Sequence, residues 1–213
     1  MATRYHALVF DFDGTIADTL HPAMRILNQL AERYKFKPLA AADLPKAQDM
    51  STSELIRFLK IPRLKLPGIL LEGRKLLGAE IDTIQPITGL PEVLEKLRQQ
   101  TEFMGIVTSN SKLNVQNFLR RHNLGQFAFI SSVSKLGGKH KHLKAILRTF
   151  TLEKDDILYI GDESRDIKAA HKAGVAACGV TWGYNSSKAL RSKKPDYLFS
   201  QPRELLTLPM FRR

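Results

Sequence analysis

Five short apolar runs alternate with helical patterns along this chain, and that alternation limits the fold more than any other feature. The runs are Tyr5 to Phe12, Phe103 to Thr108, Phe127 to Ile130, Ile157 to Ile160 and Val175 to Val180. Each is short, apolar and rich in β-formers, so each reads as a buried strand. Between them Leu113, Val115, Phe118 and Leu119 recur at helical spacing, as do Leu143, Ile146 and Leu147. Pro91 suits the first turn of a helix over Glu92 to Gln100. Strand and helix in turn predict a parallel sheet with right-handed crossovers. The expected class is α/β, a Rossmann-like core of three layers.

One stretch breaks the alternation. From Ala17 to Ile84 there is no strand pattern, and Pro22, Pro38, Pro45, Pro62 and Pro67 punctuate helical segments. Ser51-Thr52-Ser53-Glu54 ahead of Leu55 has the form of a capping box. Residues 17–84 are therefore expected to form a small all-helical cap. Residues 1–16 and 85–213 would form the core, with hinges at Ile16-Ala17 and Ile84-Pro86. A length of 213 residues suits one core with a modest insertion.

Ligands of open α/β sheets sit beyond the carboxyl ends of the strands. Asp11 and Asp13 follow the first run, and Thr108, Ser109 and Asn110 close the second. Gly137-Gly138-Lys139 lies in the loop after the third, and Asp162, Glu163 and Asp166 follow the fourth. Taken singly, each is an ordinary turn or helix cap. Together they place carboxylates, a lysine and hydroxyl or amide donors at one edge. That inventory suits phosphoryl transfer, in which a carboxylate approaches an anionic group only with a cation present. Clustered carboxylates with oxygen-only ligation suit Mg²⁺. An aspartate can serve as nucleophile, and a second carboxylate two residues on can protonate the leaving oxygen and then activate water.

These motifs resemble the haloacid dehalogenase superfamily, in its phosphoglycolate-phosphatase-like branch. Asp11-Phe12-Asp13-Gly14-Thr15 matches the first motif, D-x-D-G-T, and Met104 to Thr108 matches the second. Lys139 matches the third, and Gly161-Asp162-Glu163-Ser164-Arg165-Asp166 the fourth. The resemblance implies a phosphatase of a small phosphorylated metabolite that works through an aspartyl-phosphate. It implies Asp11 as nucleophile, Asp13 as acid and base, and Lys139 as partner of both Asp11 and the phosphate. Thr108, Ser109 and Asn110 would bind substrate. Asp11, Asp13 (through its carbonyl), Asp162 and Asp166 would hold Mg²⁺. A mutase or phosphonatase of the superfamily remains open, as does a regulatory protein on the same fold. A phosphonatase would need a cap lysine such as Lys35, Lys37, Lys46 or Lys60. Arg57, Arg63 and Arg74 are the candidate contacts for an acidic substrate.

The net charge of +12 raises the question of nucleic acid. The Lys and Arg residues are spread along the chain, with no aromatic-interleaved basic stripe, so steering of phosphorylated metabolites is the better reading. No apolar stretch reaches the length of a membrane span. The single cysteine, Cys178, and an N-terminus without signal-peptide pattern suggest a reducing, cytoplasmic setting. A monomer or homodimer is expected.

Overall fold

A computed structural model of the chain describes residues 5–133 and 138–210. Strand β1 (Ala7–Phe10) is followed by helices α1 (Leu20–Tyr34), α2 (Leu44–Gln48), α3 (Thr52–Phe58) and α4 (Leu66–Ala79). Then come α5 (Leu90–Arg98), β2 (Phe103–Thr108), α6 (Lys112–Arg121), β3 (Phe127–Ser132) and α7 (Lys139–Thr149). The chain continues through β4 (Ile157–Gly161), α8 (Ser164–Ala173), β5 (Ala176–Val180), α9 (Ser187–Arg191) and β6 (Tyr197–Phe199). All strands are parallel, in the order β3-β2-β1-β4-β5-β6. The order reverses at β1 and β4, where an open sheet presents its crevice.

The strands read as continuous apolar runs because both faces of the sheet are covered. On one face Leu8, Phe10, Met104, Ile106, Leu158 and Ile160 pack with Leu94, Leu97, Val115 and Phe118 of α5 and α6. On the other face Ala7, Val9, Val107, Ile157 and Tyr159 pack with Leu143, Ile146, Ile167 and Ala170 of α7 and α8. Alternate residues of β1 thus enter opposite layers, as the period of two requires. The α/β, Rossmann-like reading holds. The expectation of five strands omitted β6, three half-buried residues after Pro195-Asp196. It pairs with β5 through Cys178 to Val180. So short an edge strand has no period of its own to read.

Between β1 and β2 the segment is helical, with α1 packed on α4. Ion pairs Arg25–Glu80 and Arg33–Glu72 join them. Ser51 forms the capping box at the start of α3, its hydroxyl accepting from Glu54 N and the Glu54 carboxylate from Ser51 N. The two linkers to this segment run side by side. Ala17 bridges Pro86 antiparallel, Asp18 N donates to Gln85 O at 2.9 Å, and Ile87 N donates to Ile16 O at 2.9 Å. Among the described residues no helix is long and apolar enough to cross a membrane.

Candidate active site

The carboxyl ends of β1 and β4 bring three carboxylates together. Oxygens of Asp11, Asp162 and Asp166 lie within 4.8 Å of one another, and all three residues are buried. Among the described residues no other set of three or more Asp, Glu, His or Cys side chains is gathered in this way. Lys139, at the start of α7, places Nζ 2.6 Å from Asp11 Oδ2 and 2.6 Å from Asp166 Oδ1. A buried lysine persists only when paired, and here it is paired twice.

Local turns hold each group. Asp11 Oδ1 accepts from Phe12 N at 2.7 Å. Asp162 Oδ1 accepts from the Thr15 hydroxyl at 2.7 Å, and Oδ2 from Tyr184 N at 2.7 Å. Asp166 Oδ2 accepts from Glu163 N at 3.0 Å, closing a capping box at the start of α8. Gly14 has φ +75°, and a Cβ there would stand 2.3 Å from Asp162 Oδ2 and 2.5 Å from the Tyr184 ring. Both the left-handed turn and the close approach demand glycine.

Thr108 is fully buried, and its hydroxyl accepts from Asn110 N at 3.0 Å, which leaves its own O–H free to donate. Asn110 Nδ2 donates to Asp13 Oδ1 at 3.0 Å. Asp13, Ser109 and Asn110 open on a cavity of ≈ 230 Å³. Its far wall, from α1 and α4, is apolar through Ile26, Leu27, Leu30, Ile69 and Leu77, with Arg74 as its cation. Arg57 and Arg63 do not line this cavity, nor do Lys35, Lys37, Lys46 and Lys60, all of which are exposed. Of the loop Gly137-Gly138-Lys139, Gly137 lies outside the described residues. His142 meets the Ser131 hydroxyl at 2.6 Å and lies outside the carboxylate cluster.

A model of the haloacid dehalogenase-like hydrolases matches residues 8–180. The chain belongs to this family. A phosphoglycolate phosphatase of Synechococcus elongatus is 29% identical over 201 residues, 94% of this chain and 95% of that one. A phosphoglycolate phosphatase of Pasteurella multocida is 26% identical over 229 residues, covering 97% and 99%. A haloacid dehalogenase-like hydrolase of Streptococcus pneumoniae shares the fold, with a TM-score of 0.77, 21% identity and 97% and 99% of the chains covered. This haloacid dehalogenase-like hydrolase is thus of the phosphoglycolate-phosphatase-like type that its four motifs suggested.

The electrostatics of the cluster are unbalanced. Burial, against the lowering effect of Lys139, raises the Asp11 carboxyl to about 7. Burial and the charge of Asp11 raise Asp162 well above the usual range. Burial raises Asp13 to about 6, against the Asn110 hydrogen bond. Burial by itself would lower Lys139, yet Asp11 and Asp166 leave it raised and charged. Three buried carboxylates stand against one lysine, and the raised Asp11 and Asp162 carboxyls reflect burial and crowding that a bound cation would relieve. The donors are all oxygen, so the set suits a hard cation.

Three further groups stand near the site: Arg165 inside the fourth motif, Tyr184 in the Trp182-Gly183-Tyr184 segment after the fifth apolar run, which the sequence offers as an entrance to the site, and Asn185, which no sequence pattern marks. Arg165 lines the cavity beside Asp13 with its guanidinium on Glu163, Nε to Oε1 3.0 Å. The Tyr184 hydroxyl donates to Thr19 O at 3.2 Å. Asn185 is buried with its whole amide used. It accepts from Ser164 N at 2.7 Å, and donates to Gln48 O at 3.0 Å and Met50 O at 3.1 Å. It ties the start of α8 to the inserted helices. Only a fold reveals such a residue, since its two acceptors on the inserted segment lie more than 130 positions away.

Proposed function

We propose that the chain is a Mg²⁺-dependent phosphatase of a small phosphorylated acid, phosphoglycolate-like, acting through an aspartyl-phosphate on Asp11. The observation that carries this reading is the buried cluster of Asp11, Lys139, Asp162 and Asp166 at the strand ends. Residues 17–84 act as the cap over a core of 1–16 and 85–213. Thr108 donates its hydroxyl to the phosphoryl oxygens with Ser109, and Lys139 offsets their charge. Asp11 attacks phosphorus while the bond to the leaving oxygen breaks, and Asp13 passes its proton to that oxygen. Asp13 then takes a proton from water, whose oxygen attacks phosphorus. This frees phosphate and restores Asp11. Asp11, Asp162 and the Asp13 carbonyl, with Asp166 in support, would hold Mg²⁺, which when bound would supply the charge that lets carboxylate meet phosphate. One chain supplies every side chain this scheme uses, which suits a monomer or a homodimer. The exposed cap lysines argue against a Schiff base and so against a phosphonatase.

The decisive assay is phosphate release from phosphoglycolate, sugar phosphates, nucleotides and a short oligonucleotide, with and without Mg²⁺. Mg²⁺-dependent release from phosphorylated acids supports the reading, and release only from the oligonucleotide would overturn it. Arg74 is the cation on the cavity's apolar wall, and no ion pair is seen for it among the described residues. A carboxylate on the leaving group would meet it there. Arg74→Ala should raise KM for such a substrate about tenfold or more, the loss of about 1.4 kcal/mol, with a smaller effect on a neutral sugar phosphate. Equal effects on both would remove Arg74 from acid recognition.

The ion can be tested without turnover. The raised carboxyls hold protons to unusually high pH, and a cation must displace them. At a hundredfold excess over Kd, Mg²⁺ should stabilise by about 2.7 kcal/mol, roughly 5–10 °C in thermal midpoint. The shift should be clearly larger at pH 8 than at pH 5.5. The same shift at both pH values would place the ion elsewhere.

A further inference from the structure

The carboxyl group of Asp13 is held by a chain of amides that ends on the cap. Asn110 Nδ2 donates to Asp13 Oδ1 at 3.0 Å. Asn110 Oδ1 accepts from Ser111 N at 2.7 Å and from Asn114 Nδ2 at 2.9 Å. With two N–H groups aimed at that oxygen, the Asn110 amide has one orientation, and its nitrogen must face Asp13. Asp13 Oδ1 is thereby occupied as an acceptor, and the transferable proton belongs on Oδ2.

Asn114 sits in the first turn of α6, where Ser111 caps the helix through Asn114 N at 3.1 Å. Its side chain meets α4 of the inserted segment. Asn114 Nδ2 lies 3.5 Å from Arg74 O. More tellingly, a Cβ on Gly78 of α4 would stand 2.6 Å from both Asn114 Nδ2 and Oδ1. The backbone of α4 is seated directly on the Asn114 amide. Glycine is a poor residue inside a helix, by about 0.5–1 kcal/mol against alanine. Its presence at Gly78 is explained by this seat.

We propose that Asn114 is a positioning residue, which links the seating of cap helix α4 on the core to the alignment of Asp13 through Asn110. With α4 in place, the Asn114 amide is pressed onto Asn110, and Asn110 fixes Asp13 Oδ1. When α4 lifts, Asn114 loses its backing and the Asp13 carboxyl is free to turn. Acid catalysis is then available only beneath a seated cap, which excludes water at the same moment.

The inference rests on Asp13 acting as the acid, so the test separates the two. Phenyl phosphate and p-nitrophenyl phosphate have similar bodies, but only the first has a leaving group that needs a proton. Their kcat/KM values report the steps through phosphorylation of Asp11. Asn114→Ala should lower kcat/KM about tenfold for phenyl phosphate, a part of the roughly 10²–10⁴-fold that a general acid contributes. For p-nitrophenyl phosphate it should change little, within about twofold. Gly78→Ala should show the same split, although alanine favours the helix. In the Asn114→Ala background, Gly78→Ala should do nothing more, because the amide it strikes is gone. Thermal melting checks that each variant is folded. Additive losses, or equal losses on both esters, would overturn the link between Asn114 and Asp13. Absence of turnover of either ester by the parent protein would instead overturn the phosphatase reading.

Discussion

Replacing Asp11 with asparagine is expected to abolish turnover, by a factor on the order of 10⁴ or more, while the metal-free protein keeps its thermal midpoint or gains a little. The amide occupies the same space, and its oxygen can still accept from Phe12 N, now at 2.7 Å from Asp11 Oδ1. Lys139 loses one partner but keeps Asp166 at 2.6 Å. The substitution also removes one negative charge from a buried set whose mutual repulsion raises Asp162. Stability should therefore not suffer where nucleophilicity vanishes. Phosphate release and metal-free melting measure the two effects. Turnover within tenfold of the parent would exclude Asp11 as nucleophile, and a collapsed midpoint would mean that its charge is structural.

Lys139→Met should do the opposite to stability. The side chain is about the same length and apolar, so packing around it is largely preserved. What is lost is the cation 2.6 Å from both Asp11 and Asp166. Breaking a buried pair by removing one partner destabilises by about 3–5 kcal/mol, roughly 10 °C in midpoint for a chain of this size. The pH dependence has a definite sign. Asp11 is already raised by burial, with Lys139 the strongest opposing influence, so the variant raises it further. A carboxyl raised on folding contributes stability below its unfolded value and loses it as pH rises through the folded value. The deficit should then be large at pH 8 and shrink towards pH 5, as the orphaned carboxylates take up protons. Melting across that range without Mg²⁺ measures it. A deficit independent of pH would show that Lys139 stabilises by packing and not by charge. Turnover should also fall, since the lysine is the protein cation beside the nucleophile.

Both variants act on residues that the sequence alone marked. Asp11, Asp13 and Asp162 are legible because a buried parallel strand is a continuous apolar run, and a carboxylate at its end stands out. The D-x-D-G-T turn is legible for a related reason. Gly14 must take φ +75° against Asp162 and Tyr184, and no other residue meets both demands at so little strain. The capping box at Ser51 and the proline at the start of α5 are similarly local, and both stand where their spacing placed them. These features need only a few neighbouring residues, so one strand of text carries them.

The remainder depends on distant parts of the chain meeting. Arg57, Arg63 and Arg74 are equivalent as sequence, and only the packing of α1 on α4 turns Arg74 into the cavity. Arg165, inside a recognised motif, gives no sign of pairing with Glu163 and facing Asp13 until α8 fixes its direction. Asn114 and Asn185 look like surface amides in text. They become connectors because helices and loops 36 to 137 positions away press against them. Even β6 owes its identity to β5, since three residues have no pattern without a neighbour to pair with. The sequence by itself determined the chemistry at the strand ends, because local backbone demands and hydrophobic period select those residues. Which side chains surround that chemistry, and how the cap is seated over it, was decided by tertiary packing alone, because those contacts join residues whose spacing along the chain carries no period.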